Sequence, residues 1–453
     1  MVSVGWSRVQ SRALSALVGR GAARAASRRR PPGEWLLVAA MLGCAGPAAE
    51  RGLGVVRRDS AGVQLVENRL PVWGPGDEWR VEPHPMLVLD TTGAGGVVPP
   101  YRVAAVSRLQ DRRFAVADGG NQELRIYDST GVYQDRIAGP GDGPGEFRGL
   151  GRLWRFRGDS LMAADWQGWS YELSVFGPDG RLARSWSAAL PPGEEGRVAP
   201  AAVTGAGDIL MITVSTIRGT MPPRVERALE RAYVYDGRGR PGPPVGRFPG
   251  QLWYRGPETK LSVVGLTISS RFAADAIGFY AGDPDRPVIR RYLTSGTLVR
   301  VITIPGSGVP VTDEDLGRER ARAHEALKQR YQQLEGWSIP ASLRALIEDQ
   351  HALVDEMPYP ETFPPYDAFF TDPRQHLWIR RYRRAGHDDP HAFWVLDAGG
   401  RWLGTVLMPP DLSVLEIGDD YVVGVRKDEL DIEYIQVHRL YRSSLPSLDP
   451  KGR

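Results

Sequence analysis

The sequence predicts an all-β protein assembled from repeats, and two observations carry that prediction. Five times a run of β-formers meets a Gly-bearing turn and a second run. The copies are residues 124–137 (LRIYDSTGVYQDRI), 173–186 (LSVFGPDGRLARSW), 232–248 around DGRG, 288–304 around TSG, and 393–408 (FWVLDAGGRWLGTVLM). Self-similarity at about fifty residues marks a propeller or a solenoid, in which no single unit can bury its apolar face alone. Composition agrees: 53 Gly and 37 Pro serve turns, and 13 Trp with 16 Tyr supply flat side chains that pack between stacked sheets. At 453 residues the chain outgrows one ordinary core, so it is several domains or one array, and the repeats favour the array.

The net charge of +3 is a property of the first 43 residues, where seven arginines stand against one acid, Glu34. Without that excess of six the remainder carries −3, which gives no basic footprint for nucleic acid. Arg28, Arg29 and Arg30 precede a short apolar run, residues 35–42 (WLLVAAML), followed by Gly43 and Cys44. A positive region, an apolar stretch too short to span a bilayer and a small residue before the cut describe an export signal. The Met-Leu-Gly-Cys ending resembles the bacterial lipobox, which implies lipidation of Cys44, the single cysteine of the chain. Residues 1–43 are therefore expected to be a signal peptide. The mature protein is expected at the cell envelope, lipid-anchored on an outer-membrane or periplasmic side, with no disulfide.

Residues 44–78 are rich in Gly, Pro and charge with one β-like piece at 63–67, and read as a flexible tether. A first blade of four short strands follows at 102–107, 114–117, 124–127 and 133–137. The second occupies 153–186, the third about 200–248, the fourth about 263–304 and the fifth about 366–408. Residues 412–416, 421–425 and 432–440 supply three more strands, and the missing fourth is available at 79–89. Donating that N-terminal strand to the last blade would close a ring and remove an exposed edge. The prediction is thus a six-bladed β-propeller over 79–441 with a tail at 442–453. Between blades four and five, residues 312–357 read as a helical insertion. Thr312 or Asp313 can cap a helix carrying Leu316, Ala323, Leu327, Tyr331 and Leu334, and a second helix follows Pro340. The apolar stripe is narrow, so the pair is expected to be a surface hairpin.

Residues 114–131 (FAVADGGNQELRIYDSTG) with 140–147 (PGDGPGEF) resemble the NHL-type repeat of bacterial six-bladed propellers. In that pattern a strand ends in Ala-Asp, an Asn-bearing loop leads to an Arg-Ile-aromatic strand, and a Gly-rich link opens the next blade. The resemblance specifies fold and is nearly silent on activity, since such propellers include binding modules, scaffolds and a few enzymes.

In such a ring the links between blades and the loops joining second to third strands share one face. That face would carry Asp118, Asn121, Glu146, Arg148, Asp165, Trp166, Trp169, Arg383, Arg384 and His387, together with the helical insertion. These residues form the candidate ligand-binding face. Asp118 and Asp165 recur at matching positions, which an Asx-turn closing a strand connection would also produce. No catalytic set emerges: G-x-S-x-G and HExxH are absent, and His387 and His391 are separated by Asp388, Asp389 and Pro390, a loop-like stretch. Six-bladed hydrolases of the lactonase type hold a channel calcium with Asn and acidic side chains. This chain has two asparagines, Asn68 and Asn121, and no ring of repeated acidic positions, so no metal or cofactor is expected. The expected task is binding or scaffolding by a monomer, with an unknown protein, peptide or glycan as partner. The alternatives are a metal-dependent hydrolase or lyase and a surface receptor for peptide or glycan.

Overall fold

The computed structural model describes residues 54–90, 98–214, 224–256, 261–306, 308–332 and 341–442. The export signal and Cys44 lie outside these residues. In chain order the strands begin with β1 (Val55–Ser60), β2 (Val63–Asn68), β3 (Arg80–Val81), β4 (Leu87–Val88), β5 (Val103–Arg108), β6 (Phe114–Asp118), β7 (Glu123–Tyr127) and β8 (Tyr133–Ala138). Next come β9 (Leu150–Phe156), β10 (Ser160–Trp166), β11 (Tyr171–Phe176), β12 (Leu182–Ser187), β13 (Arg197–Val203), β14 (Ile209–Val214), β15 (Arg224–Tyr235), β16 (Pro241–Arg255) and β17 (Leu261–Val263). They continue as β18 (Arg271–Ala274), β19 (Gly278–Gly282), β20 (Val288–Leu293) and β21 (Leu298–Thr303) before two helices, α1 (Asp313–Gln332) and α2 (Ala341–Glu356). The chain closes with β22 (Tyr366–Thr371), β23 (Leu377–Arg381), β24 (Ala392–Leu396), β25 (Trp402–Leu407), β26 (Ser413–Ile417), β27 (Tyr421–Lys427) and β28 (Glu433–Tyr441).

Among the described residues these strands form six sheets, each built from consecutive antiparallel strands: β5–β8, β9–β12, β13–β17, β18–β21, β22–β25 and β26–β28. The first strand of each set is innermost. β5 packs on β9, β13 on β18, β18 on β22, β22 on β26, and β26 back on β5, while β11 meets β13 between the second and third sheets. This is the layout of a β-propeller. Strand alternation explains why it coheres: successive side chains point to opposite faces, so both faces of each sheet must be apolar. In β10, Leu161 and Ala163 join the core shared with the first sheet, while Met162 and Ala164 join the core shared with the third. A separate buried cluster fills each gap around the circuit, the last set by Tyr127 and Phe114 against Val423 and Ile435.

The repeated hairpin has one cause. Gly131, Gly180, Gly239, Gly296 and Gly400 all sit at φ between 76° and 84°, and each donates its N–H to the carbonyl three residues earlier. That left-handed position closes a three-residue hairpin loop and is strained for any side chain. The last sheet lacks the hairpin because its outer strand comes from the other end of the chain. β3 pairs antiparallel with β28 through Val81 and Leu440, and β4 pairs with it through Leu87 and Val437.

The expectation of a flexible tether is corrected over residues 54–78. β1 and β2 form a hairpin through Ala61 and Gly62, both at positive φ, and β2 runs parallel to β21 as an extra outer strand of the fourth sheet. The chain then crosses the fifth sheet, where Val72 and Trp73 donate backbone N–H groups to Trp402 and Leu403 at 3.0 and 2.8 Å. Trp73 and Trp79 are buried against Trp378 and Leu403. Asn68 is buried rather than tethered in solvent: its amide donates to Thr303 O and Gly400 O and accepts from Trp402 N. The N-terminal segment is therefore a strap across three sheets, held by buried aromatic area and backbone hydrogen bonds.

Candidate functional site

Each innermost strand starts at the end of the ring that carries the links between sheets, and finishes at the end that carries the glycine hairpins. The link end also bears α1, α2 and an overlong hairpin, since residues 224–230 of β15 extend past its last partner in β14 and pair only with β16. Both features exist for local reasons. Thr312 caps α1, its Oγ1 donating to Asp315 Oδ2 at 2.7 Å while Asp315 N points back at 3.3 Å. Asp315 then ties the helix to the fifth sheet: His387 Nε2 lies 2.7 Å from its Oδ1, and Arg318 reaches the same oxygen at 2.7 Å. Burial alone would raise the Asp315 pKa, but hydrogen bonds from His387, Thr312 and Arg318 outweigh it and hold the carboxyl far below its usual range. On the other flank Leu353 of α2 packs against Gly256 and Glu319 of α1 against Gly265, where a Cβ would clash. The two helices thus reach from the third sheet to the fifth.

Most residues of the predicted binding face are engaged in local structure. Asp118 is buried, pairs with Arg125 at 3.0 Å and accepts from the backbone of Tyr101 and Asn121. Asn121 also donates to Pro99 O. Asp165, equally buried, accepts from the backbone N–H groups of Arg148 and Gly149. Both carboxylates close strand connections, the role that Asx-turns predict. Glu146 folds back on Gly143 N, and Arg148 pairs with Asp142 in the same loop. Arg384 makes a two-pronged bond to Asp389, whose pKa the guanidinium lowers to about 2. Arg383 donates to Pro410 O, and His387 anchors α1. Trp166 is half-buried between Tyr171 and the Arg197 guanidinium, whereas Trp169 is 84% exposed. His391 turns away from His387 toward Pro409 O.

A different cluster assembles at the link end of the inner strands. Arg271 of β18 lies within electrostatic reach of Arg152 of β9, Arg380 of β23, Asp367 of β22 and Glu230 of β15. Arg271 donates to Asp367 O at 2.6 Å and to Ser269 Oγ at 3.3 Å, and Arg380 holds the Asp367 carboxylate at 2.6 Å. The Arg152 side chain is exposed. Burial pushes the Arg271 pKa down; Asp367 and Glu230 oppose this, while the like charges of Arg380 and Arg152 push the same way. Glu230 is 7% exposed, its Oε2 has no hydrogen-bond partner among the described residues, and burial lifts its pKa to about 7 against the pull of Arg271. Beside this cluster a cavity of about 470 Å³ is lined by Asp367, Arg380, Arg383, His391 and Lys427.

The opposite mouth is larger, about 1040 Å³, and is lined by Arg108, Arg155, Asp159, Asp419 and Asp420 among others. Its carboxylates are occupied. Asp159 meets Arg155 at 3.4 Å, Asp419 meets Arg374 at 3.1 Å, and Asp420 meets Arg108 at 3.9 Å. Deeper in, Glu416 accepts from Ser107 Oγ, Arg108 N and Tyr421 Oη. The carboxylates of this mouth are thus all paired, whereas Glu230 at the helix-bearing end has an oxygen without a hydrogen-bond partner among the described residues. Among the described residues no group of three His, Cys, Asp or Glu side chains is placed to share a metal ion, and no helix is long and apolar enough to cross a membrane.

No protein-family model and no curated protein matches the chain. Solved structures do. A member of the DUF4221 family from Bacteroides vulgatus aligns over 81% of this chain and 99% of its own, with 9% identity and a TM-score of 0.41. Virginiamycin B lyase from Staphylococcus aureus aligns over 80% and 99%, with 9% identity and a TM-score of 0.35. A gluconolactonase from Xanthomonas campestris aligns over 85% and 100%, with 12% identity and a TM-score of 0.35. Likeness at this level is too distant to say anything of activity.

Proposed function

We propose that the chain is an exported six-bladed β-propeller, lipid-anchored through Cys44, that binds its ligand non-covalently at the channel mouth beneath α1 and α2. In this reading the six sheets are the blades, the helices are an insertion between blades four and five, and the ring is a rigid frame for loops of unlike sequence. One observation carries it. At the end that also holds the helices Arg271 feels the like charges of Arg152 and Arg380 from two other sheets, and of the two carboxylates acting on it one is paired and the other is buried with an oxygen that has no hydrogen-bond partner among the described residues. Uncompensated buried charge costs stability and is retained where a ligand supplies the balance.

The test is a thermal-shift screen of the purified chain against small organic acids, peptides and oligosaccharides. A ligand that raises the melting temperature should lose its effect when residues 313–356 are replaced by a short Gly-Ser linker, and should be weakened by His387→Ala, which frees α1 from the fifth sheet. Undiminished stabilisation in both variants would refute binding under the helices. A second reading, capture of a peptide or glycan ring, rests on Trp169, whose indole is 84% exposed beside the Trp166–Tyr171 pair. Trp169→Ala should then abolish binding that the helix variants leave intact.

A further inference from the structure

We propose that Arg152, Glu230, Ser270 and Arg271 form a site for a small organic acid whose carboxylate meets the two guanidinium groups and whose neighbouring hydroxyl or amino group meets Glu230. The inference rests on the reading of the helix-capped mouth and names the chemistry of what binds there.

Two buried polar groups without partners point to a ligand. Glu230 is 7% exposed and Ser270 is 4% exposed, and among the described residues neither Glu230 Oε2 nor Ser270 Oγ has a hydrogen-bond partner. Such orphans are rare in folded proteins and call for something that completes them. They meet at one stretch of backbone. Ser270 N donates to Pro249 O at 2.8 Å, and the Glu230 carboxyl lies against Gly250, where an added Cβ would come within 2.7 Å of Oε1. Arg227 fixes that stretch from behind, donating to Gly250 O and Ile268 O at 3.0 Å each. Gly250 is therefore required where it stands, since a larger side chain would strike the Glu230 carboxyl.

The charge balance selects an anion. Asp367, held by Arg380 at 2.6 Å, and Glu230 are the two carboxylates that act on Arg271, against the like charges of Arg380 and Arg152. Arg271 is aimed by a backbone carbonyl and a hydroxyl, neither of which neutralises it. Three guanidinium groups against Asp367 and an ionised Glu230 leave one positive charge, which a ligand monoanion balances above the Glu230 pKa of about 7. Guanidinium binds carboxylate with paired hydrogen bonds, and repels a metal cation at the same spot. The second requirement is a donor. Ionised Glu230 offers only lone pairs, so it favours a ligand O–H or N–H over another acceptor. Inorganic phosphate presents mostly acceptors and would set negative charge against Glu230.

Isothermal titration of the full chain with glycolate and glycine, each carrying a donor beside the acid, tests this against acetate and inorganic phosphate. Glycolate or glycine should bind about tenfold more tightly than acetate, the value of one hydrogen bond to a charged group. Arg271→Gln and Arg152→Gln should each weaken binding about tenfold, and Arg152, being exposed, can be changed without disturbing the fold. Glu230→Gln should keep acetate binding and erase the preference over it. Phosphate or acetate binding as tightly as glycolate, or no heat from any of the four, would overturn the inference. A ligand from the wider screen that is lost with the helices but indifferent to Arg271→Gln would leave the mouth reading standing and sink this one.

Discussion

Replacing Glu230 with Gln should make the protein more stable in mild alkali and leave it unchanged in mild acid. Burial raises the carboxyl from 4.5 to about 7 in the folded chain. An acid with a raised folded pKa keeps its proton longer folded than unfolded, so stability falls as pH rises from about 4.5 to about 7 and is flat beyond. That span, at about 1.4 kcal/mol per pH unit, amounts to about 3 kcal/mol. Gln has nearly the same shape and no titration, so any constant cost of the swap cancels when two pH values are compared. Urea unfolding of both proteins at pH 4.5 and 8.5 should show Glu230→Gln gaining about 3 kcal/mol relative to the parent between them. A gain below about 1 kcal/mol would mean that water or a counter-charge reaches the carboxylate, and the electrostatic picture of the mouth would fall with it.

Three further outcomes follow from the same geometry. Trp73→Ala should cost about 3–5 kcal/mol in denaturant unfolding, as for any buried aromatic, whereas a tether residue would cost nothing measurable. His387→Ala should make α1 more sensitive to a protease and move its release to higher pH. Asp315 is held ionised below its usual pKa of 3.8, so its anchorage is complete above that value and fades as pH falls toward the folded one. Unchanged cleavage would refute the anchor. Cys44→Ser should move the protein from the membrane fraction to the soluble exported fraction, and mass spectrometry should find a lipid on the parent; an unmodified Cys44 in the mature chain would remove the anchor from the proposal.

The sheets were legible where the physics is local. A three-residue hairpin needs a left-handed residue, glycine supplies it, and so five of the six sheets announce themselves through Gly131, Gly180, Gly239, Gly296 and Gly400. The sixth is silent for a topological reason: its outer pairing runs from β28 to β3, so no hairpin is needed. The strap at 54–78 was missed because its signals are atypical. β1 carries Arg57, Arg58 and Asp59 on an exposed edge, where charge discourages unwanted pairing. Its turn places Ala61 at φ 52°, where Asn or Gly is the usual marker.

The site was not legible, because its members are near one another only after the ring closes. Arg152 opens an inner strand that otherwise reads as core, and Arg271 and Asp367 hold the same place in strands of little mutual similarity. The third sheet lies between those that carry Arg152 and Arg271, so nothing in the local sequence of either strand relates the two. Glu230 gives a clue only in retrospect. It belongs to a 12-residue β15, twice the length of its partner β14, and sits where the extra length begins. A carboxylate that costs about 3 kcal/mol when ionised is the kind of local inconsistency that marks a functional position, since packing alone would have replaced it with Gln or Leu. The residues sequence reasoning favoured, Asp118 and Asp165, show the converse. Repetition at equivalent positions signals a shared structural task, whereas a binding site on a ring of units alike in fold must arise from what the repeats do not share.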